Sequence, residues 1–378
     1  MEVTKRSGTK ERFSVEKIHK VVEWATNGIN GVSLSDIEMN ANLSIHDGIE
    51  TSKIHQILIK SANDLISTAA PNYQYVAARL LNMQLRKEVW GCGDKAPHFQ
   101  TFLEKNTDNG IYDTAILDKW SNEDLEIIEG YINHSRDDMF TYAGLQQMID
   151  KYLVKNRGTG NIYETPQFAY IAIAMCLFDN LEDVKEAYEC YSTFKINLPT
   201  PIMAGVRTTI RQFASCVLVD VDDDLDSIFS SVHAVGKYTA RRAGIGLNIG
   251  RIRPINSPIR GGEVIHTGLI PYLKNFESAV KSTSQNGLRG GSATVHVPFW
   301  HYEIEDVMIL KNNAGTDDNR VRKLDYSVQF CKLFYDRLIK NESVTLFSPH
   351  EAEDLYEAFG DNKRFEELYL KYERATSL

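Results

Sequence analysis

The chain has 378 residues, 43% of them hydrophobic, 10% aromatic and 25% charged, which at roughly 150 residues per domain predicts two or three domains and excludes a mainly disordered polypeptide. A formal net charge of −9 argues against a general nucleic-acid binder, which carries a basic field. The N-terminus is charged from its first residues and leads into no apolar run, which predicts no signal peptide. The longest apolar run, 168–178, falls well short of the about 20 residues that cross a bilayer.

Residues 1–92 read as a small, mostly helical unit. A helix starting at Ser14 places Ile18, Val21, Val22 and Ala25 on one face and ends near Asn27-Gly28. Ser35-Asp36-Ile37-Glu38 reads as the capping box of a second helix. A third helix from Thr51 turns Ile54, Ile57, Leu58, Ser61 and Leu65 inward, and a fourth spans 72–90 before Gly91-Cys92-Gly93. Residues 93–211 stay helical, with helices expected at 117–132, 141–153, 168–178 and 182–194. Pro199-Thr200-Pro201 stops that pattern. From 212 to 378 the character changes. Strands are expected at 213–221, 245–252, 293–297 and 344–347, and helices at 225–242, 270–282, 303–310, 326–340 and 351–374. Such alternation predicts an α/β domain with a mostly parallel sheet.

The sharpest compositional signal is local. Residues 227–302 hold nine Lys or Arg against two acids, Glu263 and Glu277, a local +7, together with ten glycines. Glycine lets backbone N–H groups approach a ligand and arginine pairs bidentately with phosphate, so the stretch suggests an anionic small ligand, most simply a nucleotide. Gly244-Ile245-Gly246-Leu247-Asn248-Ile249-Gly250 misses the dinucleotide fingerprint, because its third glycine is one residue late and a helix precedes it. Asp220, Asp222 and Asp224 alternate like a calcium loop, but Leu225 and Ser231 stand where that loop needs Gly and Glu. These acids instead fit a helix N-terminus. The ten histidines form no metal-ligand pattern, and His296 and His301 lack a third ligand nearby. Five cysteines without a C-x-x-C pair suit a reducing compartment, the cytoplasm. Taken alone, Cys216 in Phe213-Ala214-Ser215-Cys216-Val217-Leu218 reads as an inert strand thiol. The N-terminal cluster Lys5, Arg6, Lys10, Arg12 and Lys17 is a second anion candidate beside the plainer reading of a solvated basic arm.

Val3-Thr4-Lys5-Arg6-x-Gly8, Leu198-Pro199-Thr200-Pro201, Phe213-Ala214-Ser215-Cys216, Arg242-Ala243-Gly244-Ile245-Gly246, Pro258-Ile259-Arg260-Gly261-Gly262-Glu263 and Leu288-Arg289-Gly290-Gly291 occur in that order. With them the chain closely resembles, over essentially its whole length, the large subunit of class I ribonucleotide reductase. The resemblance implies an ATP-cone at 1–92, a helical domain at 93–211, and at 212–378 the first five-stranded half of a ten-stranded α/β barrel. It implies reduction of ribonucleotides, most simply diphosphates, to deoxyribonucleotides by radical chemistry. Cys216 matches the redox cysteine on the first barrel strand, which reverses the inert reading. Thr200, Ser215, Cys216 and Gly244 resemble substrate-contacting positions. Asp223, Asp224, Leu225, Arg253 and Arg260 resemble the specificity-effector site, and Gln285 and Arg289 the loop that reports effector identity to the substrate. Lys5, Arg6, Glu11, Lys17, Thr51, His55 and Lys87 fall at activity-effector positions of the cone, where Met83 and Gln84 depart from the commoner aromatic-plus-histidine pair.

The resemblance implies ATP or dATP and deoxynucleoside triphosphates as effectors, with Mg2+, and no metal or catalytic cofactor held by this chain. A small subunit would carry the metal-radical cofactor, and thioredoxin or glutaredoxin would supply electrons. None of the five cysteines has Asn two before and Glu two after, the family's radical-loop pattern, so either a completing chain brings that cysteine or the sequence is truncated before it. Homodimerisation through helices 225–242 and 270–282 is expected, with neither nucleic acid nor membrane as partner. Half a barrel would expose open strand edges and an apolar interior, so the chain alone is expected to be inactive and prone to aggregate. The alternative is a catalytically inactive, nucleotide-binding regulatory fragment.

Overall fold

In the computed structural model, which describes residues 1–42, 45–91, 95–156, 158–211, 213–283 and 290–376, the chain divides into two units, Met1–Phe213 and Ala214–Leu378. The first opens with an antiparallel pair, β1 (Glu2–Thr4) and β2 (Lys10–Arg12), whose turn bends at Gly8, φ +81°. Helices α1 (Val15–Thr26), α2 (Leu34–Asn42), α3 (Thr51–Asp64) and α4 (Tyr73–Val89) follow. The Ser14 hydroxyl accepts from the Lys17 amide and caps α1, which starts within a residue of the expected place. The second cap is displaced from its expected place. Ser33, not Ser35, accepts from the Asp36 amide at 3.2 Å, and Glu38 lies 3.0 Å from His19 Nδ1 instead of closing a capping box.

The helices that complete this unit are α5 (Phe99–Asp108), α6 (Ala115–Asp118), α7 (Asn122–Glu129), α8 (Tyr142–Gln147), α9 (Pro166–Leu177), α10 (Leu181–Ser192) and α11 (Thr200–Gly205). The helix expected over 117–132 is broken, because Ser121 and Asp124 form a reciprocal capping box that starts α7 afresh. Over 141–153, α8 passes into a π-helical turn, Met148–Tyr152. Apolar on nearly every side, α9 is buried from Pro166 to Met175. One hydrophobic core runs from Val22 to Val206. Within it Arg207 and Glu164, both fully buried, form an ion pair that also takes in the hydroxyl of Tyr112 and the carbonyls of Met203 and Tyr152.

The second unit is built on a parallel sheet. Its strands are β3 (Cys216–Asp220), β4 (Gly244–Asn248), β7 (Ala293–Pro298) and β8 (Asp325–Gln329), side by side in that order. A short antiparallel pair, β5 (Pro258–Ile259) and β6 (Val264–Ile265), stands apart from it. Helices α12 (Leu225–Ala240) and α13 (Leu269–Ser282) cover one face. There Ile228, Val235, Leu273, Phe276 and Val280 pack on Ile245, Leu247, Val295 and Val297. After β7 come α14 (Ile304–Met308), α15 (Lys332–Lys340), α16 (Glu353–Glu357) and α17 (Asn362–Thr376).

Three expectations change here. Residues 325–329, expected to begin a helix, form β8, because Tyr326 and Val328 alternate onto the apolar side against β7 and the helix waits until Lys332. Residues 344–347, expected as a strand, make a single parallel bridge, Phe347 to His301. The Tyr369 hydroxyl accepts from the Thr345 amide at 2.6 Å and donates to its carbonyl at 2.8 Å, so Thr345 has no backbone group left for a ladder. The described residues of the sheet thus hold four strands. Finally, the helix expected over 351–374 is two, since Asp361 accepts the amides of Lys363 and Arg364 and starts α17 anew.

The face opposite the helices is not the apolar interior expected. Register places Cys216, Leu218 and Asp220 of β3 beside Gly244, Gly246 and Asn248 of β4. On β7 and β8 the matching positions are Thr294, His296, Asp325 and Ser327. That surface is small and polar apart from Leu218, which is 83% exposed. Both β3 and β8 are edge strands.

Candidate functional site

In the first unit the N-terminal strands, α1, α3 and the last turn of α4 enclose a cavity of about 230 Å³. Its walls include Glu11, Lys17, Thr51, His55 and Lys87, with Ile18, Ile54 and Leu58 as apolar lining. Five of the seven activity-effector positions are thereby brought together. Lys5 joins them by pairing with Glu11, which also pairs with Lys17. The Lys17 and Lys5 ammonium groups hold the Glu11 carboxyl down to about 2. His55 is buried, and its Nε2 donates to the Leu80 carbonyl at 2.6 Å. Burial pulls the imidazole down to about 4, with the charges of Lys87 and Arg6 acting in the same direction. Arg6 itself is exposed. Thr51 opens α3, whose N-cap residue Glu50 supplies no side-chain cap. Cations, an uncapped helix start and an apolar wall suit a nucleotide with its phosphates at the charged end.

In the second unit Asp224 caps α12, its carboxylate accepting from the Ser227 amide at 2.8 Å. Beside it Asp223 accepts from both the amide and Nε of Arg253, at 2.8 and 2.6 Å. Arg253 also donates to the Pro258 carbonyl, which ties this pair to β5. Arg260 is exposed between β5 and β6, at φ +51°. Leu225 and Phe229 are exposed on α12, while Ile228 and Val235 are buried against the sheet. The five specificity-effector positions therefore lie on α12's start and on the segment after β4. Gln285 and Arg289 lie outside the described residues.

Cys216 starts β3 as an exposed thiol, its Cα opposite that of Gly244, and the Ser215 carbonyl accepts from the Gly244 amide at 2.8 Å. An exposed thiol on this sheet face is accessible to a substrate and to a second thiol. Thr200 belongs to the first unit, where it opens α11.

Residues that sequence reasoning did not single out occupy the ends of the strands. Asn248 donates to Asp220 at 2.6 Å and to the Tyr356 hydroxyl, and Arg251 stacks over the Tyr356 ring while pairing with Glu357. Glu303, buried, accepts from the backbone amides of Ile255 and Leu269. Neither arrangement has a local signature, because each joins residues tens of positions apart. Among the described residues no group of three or more His, Cys, Asp or Glu could hold a metal ion, and no helix is long and apolar enough to cross a membrane.

Three family descriptions match in succession: an ATP cone domain over residues 1–88, the ribonucleotide reductase all-alpha domain over 138–211, and the ribonucleotide reductase barrel domain over 214–378. The chain is 50% identical over 383 aligned residues to ribonucleoside-diphosphate reductase 1 subunit alpha of Escherichia coli, covering 100% of this chain and 50% of that protein. The ribonucleoside-diphosphate reductase subunit alpha of Haemophilus influenzae is 51% identical over 379 residues, 98% of this chain and 50% of that one. Its counterpart from Enterobacteria phage T4 is 46% identical over 381 residues, with the same shares. The chain spans about half the length of the curated relatives it matches.

Proposed function

Because the chain belongs to the class I ribonucleotide reductase large-subunit family, we propose that it forms the N-terminal part of a ribonucleoside-diphosphate reductase. In that reaction a ribonucleoside diphosphate and two thiols become a deoxyribonucleoside diphosphate, a disulfide and water. Cys216 faces the 2′ carbon, gives its proton to the departing hydroxyl as water forms, and ends in the disulfide. The observation that carries this reading is Cys216 exposed at the head of β3 beside Gly244, on a face that is polar apart from Leu218 and that a nucleotide can approach. Ser215, Gly244 and Thr200 contact the substrate. The second cysteine of the disulfide and the cysteine of the Asn-x-Cys-x-Glu loop come from the other half of the large subunit. A small subunit supplies the metal-based radical, and thioredoxin or glutaredoxin returns the disulfide to dithiol.

Regulation uses two nucleotide sites. ATP or dATP binds at Lys5, Arg6, Glu11, Lys17, Thr51, His55 and Lys87. Deoxynucleoside triphosphates bind at Asp223, Asp224, Leu225, Arg253 and Arg260, with Gln285 and Arg289 passing on their identity; Mg2+ arrives on the triphosphates. The modules are the cone (1–92), the helical domain (93–211) and the barrel portion (212–378). Leu225 and Phe229, exposed on α12, support a homodimer formed through α12 and α13. The protein works in the cytoplasm.

Native purification followed by mass spectrometry tests the reading. It should bring down a chain containing Asn-x-Cys-x-Glu, and in that complex Cys216→Ser should abolish multiple turnover while nucleotide binding persists. The purified chain with a small subunit but no completing chain should be inactive. A complex without such a partner would favour the regulatory fragment, and dithiol-dependent turnover by the Cys216→Ser complex would remove Cys216 from the chemistry.

A further inference from the structure

Helix α13 has no cap of its own. Its N-cap residue is Gly268, which has no side chain to accept an amide, and its first turn contains no acid. The missing acceptor comes from 34 residues further along the chain. Glu303, 4% exposed, accepts from the Leu269 amide with both carboxylate oxygens, at 3.2 and 3.3 Å. The same carboxylate accepts from the Ile255 amide at 3.0 Å. One buried side chain thus holds two backbone segments that have no backbone hydrogen bond through these amides.

The surroundings are built to keep it there. Gly268 sits at φ +84°, and a Cβ on it would lie 2.6 Å from Glu303 Oε1 and 3.0 Å from Ile255 Cβ. The Glu303 amide donates to Nδ1 of the fully buried His301, whose Nε2 donates to the Ile252 carbonyl at 2.9 Å. Ile252 and Ile255 flank Arg253, the residue clamped on Asp223 at the start of α12. Burial pushes the Glu303 carboxyl above its usual range, while the Leu269 and Ile255 amides and the positive end of the α13 dipole pull the other way and offset part of that cost.

We infer that Glu303 is a positioning residue that couples the effector-reading segment 252–257 to the first turn of α13. This rests on the effector site proposed at Asp223, Asp224, Leu225, Arg253 and Arg260. A shift of Arg253 toward a bound triphosphate moves Ile255, and through Glu303 it moves the first turn of α13. Interfaces of this kind transmit small displacements because a packed, hydrogen-bonded strut does not deform continuously.

Hydrogen exchange on the full chain, with any partner it brings, reads the coupling at single amides. Without nucleotide, Glu303→Ala should speed exchange at Ile255 and Leu269 together by at least about tenfold, the scale of one lost charged hydrogen bond. Val295 and Val297 of β7 should stay within about twofold, which separates uncoupling from unfolding. Glu303→Gln, whose amide oxygen can still accept from both N–H groups, should restore most of the protection. With dTTP, the wild type should gain protection in 252–257 and in 269–273, and Glu303→Ala in 252–257 alone. Unchanged Ile255 and Leu269 exchange in Glu303→Ala, or dTTP protection of 269–273 that survives it, overturns the inference. If dTTP protects nothing in the wild type, the effector-site reading falls, and the nucleotide-free comparison still decides the strut.

Discussion

The buried histidine of the N-terminal cavity makes a quantitative prediction about pH. An unfolded histidine takes up its proton near 6.5, whereas His55, buried and donating to Leu80, holds out to about 4. Above pH 6.5 it is neutral in both states and contributes no pH dependence. Below 6.5 the unfolded state binds a proton that the folded state refuses, so stability falls as pH drops and levels off near 4. Each pH unit in that interval costs about 1.4 kcal/mol, so His55 alone should cost about 3 kcal/mol by pH 4. His134, also pulled down to about 4 by burial and Arg86, loads the same window. The informative quantity is therefore the difference between wild type and His55→Gln, which keeps a donor for the Leu80 carbonyl but cannot titrate. Native-state hydrogen exchange of α3 and α4 amides between pH 7 and 4, corrected for intrinsic rates, should show the variant losing about 3 kcal/mol less. An NMR titration of the ring should give a pKa near 4. ATP, by compensating the charges of Lys87 and Arg6 that help depress it, should raise that pKa. A ring titrating near 6.5, or parallel pH profiles for the two proteins, would refute the reasoning.

Other perturbations test the fold and the second effector site. Arg253→Ala and Arg260→Ala should each weaken deoxynucleoside triphosphate binding by about 1.5–3 kcal/mol in calorimetry. Only Arg253→Ala should also lower the melting temperature, because Arg253 is tied to Asp223 and Arg260 is exposed; equal melting points would place Arg253 wrongly. Glu164→Gln should destabilise the first unit by about 3–5 kcal/mol in denaturant unfolding, since it leaves the fully buried Arg207 guanidinium uncompensated. A loss below 1 kcal/mol would mean water reaches that pair. Gly246→Ala and Gly291→Ala should differ sharply. A Cβ at 246 crowds the flexible end of exposed Leu218 and makes ordinary contact with His296, whereas one at 291 meets the Val280 carbonyl and Thr239. The second should cost about 1–3 kcal/mol, the scale of overpacking, and the first little; the reverse order would contradict the packing of α13.

Where neighbours along the chain decide an element, the sequence was legible. Ser14 caps α1 because its hydroxyl reaches an amide three residues on. The run 168–178 is helical and largely buried because it is apolar on nearly every side, whereas Pro199-Thr200-Pro201, expected to stop a helical pattern, instead opens α11, since α10 has already ended at Ser192. The resemblance that the ordered motifs carry singles out Cys216, Gly244, Asp223 and Arg253, and five cone positions line one cavity. Tertiary structure decided the rest, because the relevant partners are remote. Residues 325–329 became a strand once β7 lay beside them, and Thr345 lost its place in a ladder to the hydroxyl of Tyr369. Cys216 is exposed because register sets it on the polar face, a choice that one residue of slip would reverse. Glu303 is silent in sequence, since its function depends on two amides 48 and 34 positions away, and only folding brings them to one carboxylate.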